Sequence, residues 1–327
     1  MNNMPQQFKN SSGNNLFGYP AEEMNKAFSY YKTCMETGNT KVAAEILTHI
    51  EAGINIEKLV YHVYEFYNVI LNNLNLDIPR NDLTQIVWDL YSYYLDVPKS
   101  TLQQQVNNFH QTCDSMWKEI VPDEDNVTEQ QLDTWYSSLV FPNQAPPTLM
   151  NNLSRAYKIF PLILAQSNNR KNILDFGGQT AEALSIIAHN MPNSTCSLVE
   201  GDESVMNYAK WRNDIAGIKN MNYYNSNQFV KDISMHKGKF DFCICTEVLE
   251  HVYDPPGLVK FLAELLEPNS ILFITTSFGL YPHLSHLKQN VKYAGHEDQI
   301  MQSCGFMPVQ VNFSIPMMSS MRVYVKV

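Results

Sequence analysis

The sequence predicts an α/β protein in which a seven-stranded, doubly wound sheet follows an N-terminal all-helical domain. Two patterns support this. Over residues 20–168, apolar and aromatic side chains recur at helical spacing. From residue 169 onward, short apolar strands alternate with helical segments, as is typical of a mainly parallel sheet. The chain has 327 residues, 44% of them apolar, which is enough material for two domains of ordinary size.

The N-terminal half is predicted to be a helix bundle behind a polar, disordered tail at residues 1–19. Each helix is apolar on one face and must pack against others. We therefore expect the domain over 20–168 to cover a substrate or to form a homodimer. Residues 121–130 are expected to be a polar linker. The predicted helices span 21–38, 39–53, 55–73, 82–97, 99–121 and 148–166.

The second half, residues 169–327, is predicted to supply the sheet. Helical segments separate the first strands, which favours parallel pairing. The connection between the last two strands is short, so we expect one of them to run antiparallel. The predicted strands are 172–176, 195–201, 221–225, 240–246, 270–276, 307–313 and 321–327.

Net charge, apolar run length and cysteine usage limit the kinds of molecule that the protein is expected to bind. The net charge is −10, and residues 1–168 hold 10 basic against 18 acidic side chains, a net −8. Such a surface repels phosphate backbones, so we expect a small-molecule partner and no nucleic acid. No apolar run approaches the roughly 20 residues that span a bilayer, so no membrane partner is expected. Six scattered cysteines without metal-type pairs indicate a reducing, cytoplasmic location.

Three short motifs follow consecutive predicted strands. In "ILDFGG", Asp175 is followed by Gly177 and Gly178, where a missing Cβ allows a ligand to approach the backbone. Gln179 and Ala181 then stand where a glycine-rich loop would continue. In "SLVEGDE", Glu200 ends its strand and offers two oxygens to a vicinal diol. In "NYYNSNQ", Asn227 or Gln228 could accept a hydrogen bond from a base.

A fourth motif, "TEVLEH", places Glu247, Glu250 and His251 at positions i, i+3 and i+4. These side chains lie together if the segment is one helical turn. Two carboxylates and an imidazole can form a face that binds a divalent ion.

With these four motifs in order, residues 171–327 resemble class I S-adenosylmethionine-dependent methyltransferases. The resemblance implies a Rossmann-like fold with S-adenosylmethionine as cofactor. It assigns the methionine part to the first loop, the ribose hydroxyls to Glu200 and the adenine amino group to Asn227 or Gln228. Thr246 and Glu247 would lie beside the methyl donor. The implied cofactor-binding residues are Asp175, Gly177, Gly178, Gln179, Glu200, Gly201, Asp202, Asn227, Gln228, Thr246 and Glu247.

The "TEVLEH" stretch also resembles the ubiquinone-pathway O-methyltransferases and the plant small-RNA 2′-O-methyltransferases. There the residues corresponding to Glu247, Glu250 and His251 bind a metal, and in the latter a downstream histidine completes the set. His283, His286 and His296 are the candidates, and we favour His296 because "GHEDQIMQSCGF" aligns with that segment. In the metal-free alternative, the Glu and His cap the following helix or pair with each other.

The resulting hypothesis is methyl transfer to oxygen or carbon of a small-molecule acceptor beneath the helical domain. Glu247, His251 and His296 are the predicted catalytic residues, with imidazole as the base. The expected pocket aromatics are Trp135, Tyr136, Tyr157 and Tyr281. One alternative is a methyltransferase-like protein that binds without turnover. Another, an RNA 2′-O-methyltransferase, is disfavoured by the charge of −8.

Overall fold

The computed structural model describes residues 62–78, 83–138, 161–162, 165, 169–281, 285–309 and 321–327. The predicted tail and the helices over 21–53 lie outside these residues. So does most of the helix predicted over 148–166. None of the helices within the described ranges is long and apolar enough to cross a membrane.

Four helices with described bounds precede the sheet, and residues 161–162 and 165 are also helical. Helix α4 lies partly within the predicted polar linker, and Thr128 and Gln131 explain its start. The Gln131 N–H donates to Thr128 Oγ1 over 3.2 Å, and the Thr128 N–H donates back to Gln131 Oε1 over 2.8 Å. This reciprocal capping box satisfies backbone donors at a helix start. The helices are α1 (62–73), α2 (Leu83–Leu95), α3 (Lys99–Ile120) and α4 (Glu129–Ser138).

The sheet has seven strands in the order β3-β2-β1-β4-β5-β7-β6. Strands β1 to β5 pair in parallel. Strand β7 runs antiparallel to both neighbours, which confirms the prediction of one reversed strand. The strands are β1 (Asn172–Phe176), β2 (Thr195–Glu200), β3 (Met221–Asn225), β4 (Phe240–Thr246), β5 (Leu266–Thr275), β6 (Phe306–Pro308) and β7 (Met321–Lys326).

Helices cover both faces of the sheet, so its strands are apolar on both sides. Successive side chains of β4 alternate between two cores: Phe242 and Ile244 contact one, and Cys243 and Cys245 the other. The helices of this half are α5 (Glu182–Asn190), α6 (Glu203–Ile215), α7 (Ser226–Lys231), α8 (Pro255–Leu265) and α9 (Glu297–Ser303).

Helices α1 and α2 belong to the same core as one sheet face. Phe66 and Tyr67 of α1 and Tyr91 of α2 are buried together with Tyr208 of α6 and Ile173 of β1. Tyr91 packs edge-on against Tyr208 with ring centroids 5.5 Å apart. The first described helices are therefore an integral layer of the α/β half.

Helices α3 and α4 form a second contact with that half, near the segment that follows β5. Trp117 of α3 and Trp135 of α4 pack edge-on at 5.2 Å, and Leu287 enters their apolar cluster. The Tyr281 hydroxyl donates to Glu124, and Lys288 pairs with Asp125. This docking places α4 beside the carboxyl edge of the sheet.

Candidate functional site

The site predicted from the four motifs lies where the strand order reverses. The chain passes from β1 outward to β2 and β3, and then returns to β4 on the other side of β1. The connections that follow β1 and β4 therefore run to opposite sides, and we call the carboxyl edge of the sheet around these two loops the crevice. Ligands of doubly wound sheets bind at such switch points.

Both glycines of the first loop are sterically required. Gly177 has φ +71°, and a Cβ there would lie 2.7 Å from Cγ2 of Val248, in the loop after β4. A Cβ on Gly178 would lie 2.5 Å from the Asp175 carboxyl carbon. The two loops of the crevice therefore touch at Gly177, and Asp175 lies directly beneath Gly178.

The loop keeps the backbone of a glycine-rich motif at positions that are not glycine. Gln179 has φ 50° and Ala181 has φ 55°, both left-handed. That region favours glycine because a Cβ crowds the following carbonyl. The loop therefore has left-handed backbone at both positions despite their side chains.

Glu200 joins the loops after β1 and β2. One oxygen, Oε2, accepts the Gln179 N–H over 2.8 Å, and Oε1 accepts those of Gly201 and Asp202 over 2.7 and 3.1 Å. Burial raises the pKa of Glu200, and the three N–H groups oppose that shift. A diol bound here would share a carboxylate that already organises both loops.

Asp202 caps helix α6 and also offers an acceptor. Its Oδ1 accepts the Ser204 N–H over 2.8 Å and the Val205 N–H over 3.3 Å. The other oxygen, Oδ2, is buried and has no hydrogen-bond partner among the described residues. A buried acceptor of this kind is costly unless a donor binds, so Oδ2 is available to a donor group such as a hydroxyl.

Asn227 and Gln228 lie in the first turn of α7, directly after β3. Both are exposed, and the Gln228 amide donates to Asp232 over 2.6 Å along the helix. A Cβ on Gly201 would lie 3.2 Å from Ser226 Oγ, so the ends of β2 and β3 approach closely. The adenine role predicted for Asn227 or Gln228 remains a prediction.

On the other side of the crevice, Ser277 lies between two carboxylates. Its Oγ is 2.9 Å from Glu247 Oε2 and 2.5 Å from Glu250 Oε1, and its N–H donates to Glu250 Oε1 over 3.1 Å. Burial, followed by repulsion from Glu247, raises the pKa of Glu250 to about 8. One hydroxyl hydrogen cannot serve both carboxylates at once, which fits a proton retained on Glu250.

The segment that follows β4 is not the helical turn expected from the spacing of Glu247, Glu250 and His251. Thr246 ends β4 and is buried, and Glu247 has a left-handed backbone with φ 55°. A 3₁₀ turn then covers Leu249–His251. Glu247 and Glu250 are close to each other as expected. They meet through the left-handed backbone of Glu247 and through Ser277, which contacts both carboxylates.

His251 is oriented by the segment after β5. Its Nδ1 lies 3.1 Å from the Ser285 carbonyl oxygen and 3.1 Å from Ser285 Oγ. A carbonyl can only accept, which places the hydrogen of neutral His251 on Nδ1 and makes Nε2 the acceptor. The His286 ring packs edge-on against His251, with centroids 4.6 Å apart.

Glu250, His251 and His286 form a cluster in which one ligand atom of each residue lies within 4.8 Å of the others. His296, our predicted fourth ligand, is outside this cluster: it is exposed and precedes helix α9, where its carbonyl accepts the Gln299 N–H. The 3₁₀ segment Lys288–Tyr293 separates His286 from His296, and the role predicted for His296 from the "GF" alignment stays a prediction. His283 lies outside the described residues.

Tyr136 of α4 reaches the site. It is 45% exposed, yet its hydroxyl is enclosed, hydrogen-bonded to Ser285 and close to the carboxylates of Glu250 and Glu200. This enclosure raises the pKa of Tyr136. Trp135 instead packs in the helical cluster, Tyr281 pairs with Glu124, and Tyr157 lies outside the described residues.

The strand order and the paired loops define a Rossmann-like domain. Residues 151–306 match the family model of a methyltransferase domain. The matched part of the chain is a methyltransferase domain of the class I S-adenosylmethionine-dependent type.

Individual relatives are similar over limited stretches. A ubiquinone biosynthesis O-methyltransferase from Histophilus somni is 41% identical over 46 residues, which is 14% of this chain and 19% of that protein. The chain spans about a fifth of the length of the curated relatives it matches. A solved methyltransferase from Aquifex aeolicus has a TM-score of 0.40 at 15% identity, covering 52% of this chain and 90% of that one. PKMT2 from Rickettsia typhi, in complex with AdoHcy, has a TM-score of 0.32 at 23% identity, covering 36% and 25%.

Proposed function

We propose that this protein transfers a methyl group from S-adenosylmethionine to oxygen or carbon of a small-molecule acceptor. The observation that supports it most is the pairing of two distinct sites across one crevice. The Gly177 loop and Glu200 line the cofactor side, while Glu247, Glu250 and His251 line the other. The two sides meet at the contact between Gly177 and Val248.

The cofactor supplies a methyl group that its sulfonium already activates, so the protein must mainly align the reactants and exclude water. The loop backbone, Glu200 and the buried Oδ2 of Asp202 would bind and orient the nucleoside. Tyr136, from the helical part of the chain, covers the opposite wall. An acceptor bound between these walls would have to lie in line with the methyl group of the donor.

An acceptor hydroxyl or carbon acid must also lose a proton. His251 is the residue best placed to take it, because Ser285 holds the hydrogen on Nδ1 and leaves Nε2 to accept. Glu250, buried at 1% exposure, lies beside His251 and His286 in the same cluster. Burial of these groups strengthens their interaction.

A metal-assisted variant of this reaction is the second candidate, and the cluster of Glu250, His251 and His286 favours it. One carboxylate oxygen and two imidazole nitrogens suit a divalent transition metal. Such an ion would lower the pKa of an acceptor hydroxyl and orient it. It would suit a chelating acceptor, such as a catechol or the enol of a 2-oxo acid. An amine or a thioether acceptor would need no such activation by an ion.

Calorimetric titration of the purified protein with S-adenosylmethionine tests the cofactor assignment. We expect saturable binding at one site per chain. Absence of binding by a folded sample would overturn the proposal. Labelled methyl donor and a panel of small metabolites then test turnover. Cofactor binding without methylation of any acceptor would favour the non-catalytic alternative, and strong salt-dependent RNA binding would favour the RNA methyltransferase.

The metal variant requires its own measurement. Elemental analysis of the protein as purified, before and after dialysis against a chelator, should show a divalent ion that His286→Ala and Glu250→Ala each remove. Full activity of the chelated enzyme would contradict the metal variant and leave His251 as the base.

A further inference from the structure

A fully buried ion pair lies directly behind the cofactor loop. Arg212 of α6 has no exposed surface, and its guanidinium pairs with Glu182, the first residue of α5. The other Glu182 oxygen accepts the Thr180 hydroxyl. Burying two charges has a large desolvation cost unless their hydrogen bonds are satisfied. The further contacts of the Arg212–Glu182 pair therefore matter.

The guanidinium is also bonded to the loop itself. Its second terminal nitrogen donates to the carbonyl oxygen of Thr180 over 2.7 Å and to Ser185 Oγ over 3.2 Å. Arg212 therefore connects the loop backbone to the first turns of α5. The planar fork of arginine can direct several hydrogen bonds at once, which the ammonium of lysine cannot reproduce.

Thr180 is the residue between the two left-handed positions of the loop, Gln179 and Ala181. Non-glycine residues keep such a backbone only when their surroundings hold them there. Glu200 holds the loop on one side through the Gln179 N–H, and Arg212 holds it on the other through the Thr180 carbonyl. The conformation that a glycine-rich loop adopts at low cost thus depends here on two side-chain anchors.

Aromatic rings enclose the anchor, and two of them come from the N-terminal helices. The Arg212 guanidinium carbon lies 5.5 Å from the Phe66 ring centroid and 6.0 Å from that of Tyr67, both on α1. The Tyr208 ring, one turn earlier on the same helix as Arg212, is at 5.5 Å. Cation–π contacts and exclusion of water both strengthen the pairing.

We propose that Arg212 is a positioning residue that holds the loop over 177–181 in its cofactor-binding conformation through the Thr180 carbonyl. Helix α1 completes this anchor by covering the guanidinium. The inference rests on the proposed cofactor site, since it concerns how this chain shapes a loop that lacks two glycines.

The test separates an effect on the loop from an effect on the whole fold. It replaces two residues that each donate to backbone carbonyls, Arg212 and Asn220. Arg212→Lys keeps a cation for Glu182 but loses the fork. Asn220→Ala is the matched control, because Asn220 Nδ2 donates to the carbonyls of Ala188, Met191 and Ser194 at the other end of α5. Cofactor affinity is measured by calorimetry, stability by thermal unfolding, and loop order by hydrogen exchange of the Gln179 and Ala181 amides.

We expect Arg212→Lys to weaken S-adenosylmethionine binding about tenfold or more, a loss of the size that one or two charge-assisted hydrogen bonds produce. The Gln179 and Ala181 amides should exchange faster, while Asn220→Ala should lower the melting temperature and leave both loop readouts unchanged. Wild-type affinity and exchange in Arg212→Lys would overturn the proposal. Equally weakened S-adenosylmethionine binding in Arg212→Lys and Asn220→Ala would also overturn the proposal, because the lost affinity would then reflect the stability of the whole fold.

If Arg212→Lys does not fold, the paired variant Glu182→Gln with Arg212→Met tests the same point, since it leaves no buried charge. A folded paired variant with wild-type cofactor affinity would overturn the proposal, and one with weakened affinity supports it. Failure of the wild-type protein to bind S-adenosylmethionine would instead overturn the proposed function. The exchange comparison would still report whether Arg212 holds the loop.

Discussion

Four residues with full side chains adopt left-handed backbone around the crevice. Gln179 and Ala181 do so in the loop after β1, Glu247 after β4 and Ser285 after β5, with φ between 50° and 58°. Each costs on the order of 1 kcal/mol relative to an ordinary conformation. The other four non-glycine residues with positive φ in the described part of the chain are Asn or Asp, which tolerate this region more readily.

Gln179→Gly should raise the free energy of unfolding by up to about 1 kcal/mol, because glycine removes the left-handed strain although it adds entropy to the unfolded chain. Gln104→Gly in α3, also exposed, is the matched control. It should lower the free energy of unfolding by about 1 kcal/mol, as glycine does within a helix. Urea unfolding measures both. A loss of stability in both variants would show that position 179 is not strained.

The two downstream histidines differ in surroundings and should differ in function. His286→Ala removes a buried ring that packs on His251, and we expect methyl transfer to fall about 10- to 100-fold, as for groups that support a reacting imidazole. His296→Ala removes an exposed ring and should lose much less. Steady-state rates with a saturating methyl donor decide between them, and a larger loss for His296→Ala would support the ligand set expected from sequence.

At the scale of elements, the helical part of the chain contributes directly to the site. Helix α4 begins at the Thr128–Gln131 capping box and docks through Trp135 and its neighbours onto the segment that holds Leu287. That docking brings the Tyr136 hydroxyl to Ser285, which in turn contacts His251. A change in how α4 sits would therefore alter the surroundings of the base.

Tyr136→Phe should lower kcat/KM for the acceptor about 3- to 30-fold, because one hydrogen bond at the wall of the site is lost. The Kd for S-adenosylmethionine should be unchanged. Tyr93→Phe is the control, since Tyr93 on α2 is exposed to a similar extent and packs near Trp211. Equal effects of the two substitutions on kcat/KM would contradict a role for Tyr136 at the acceptor.

At the scale of the whole molecule, α1 and α2 complete the core of the sheet. Phe66, Tyr67 and Tyr91 cover Tyr208 and Arg212 on α6. The division at residue 168 into separate domains remains a prediction, as does a homodimer through the helical part. The shared core indicates that residues 62–95 and the sheet depend on each other for stability.

The isolated segment 169–327 should therefore fail to fold cooperatively. Losing α1 and α2 exposes several aromatic side chains, each worth about 1.5–3 kcal/mol when buried, against a typical total stability of about 5–15 kcal/mol. Circular dichroism during heating would show no sharp transition, whereas the full chain should melt cooperatively. A sharp transition in the isolated segment would support an independent domain that begins near residue 169.

Local patterns were sufficient for the sheet and for the positions of Glu200 and the two glycines at its carboxyl edge. Strands β1, β3 and β4 have the bounds predicted from their apolar runs, and β7 is reversed as its short connection requires. Glu200 and the glycines lie at strand ends because parallel strands present their carboxyl ends at one edge. The pair of Thr128 and Gln131 that forms the capping box is also a recognisable sequence pattern, although it overlaps the segment predicted to be a linker.

The sequence by itself determined the fold class and placed the loop after β1 and the carboxylates of Glu247 and Glu250 directly after strands, because each of these depends on local spacing. Only the tertiary structure decided which distant residues join them. Three such contacts join residues of different elements. His286 clusters with Glu250 and His251, whereas His296 does not. The Tyr136 hydroxyl contacts Ser285, and Arg212 donates to the Thr180 carbonyl. Their proximity results from how helices and loops pack, and packing depends on long-range contacts that no local spacing encodes.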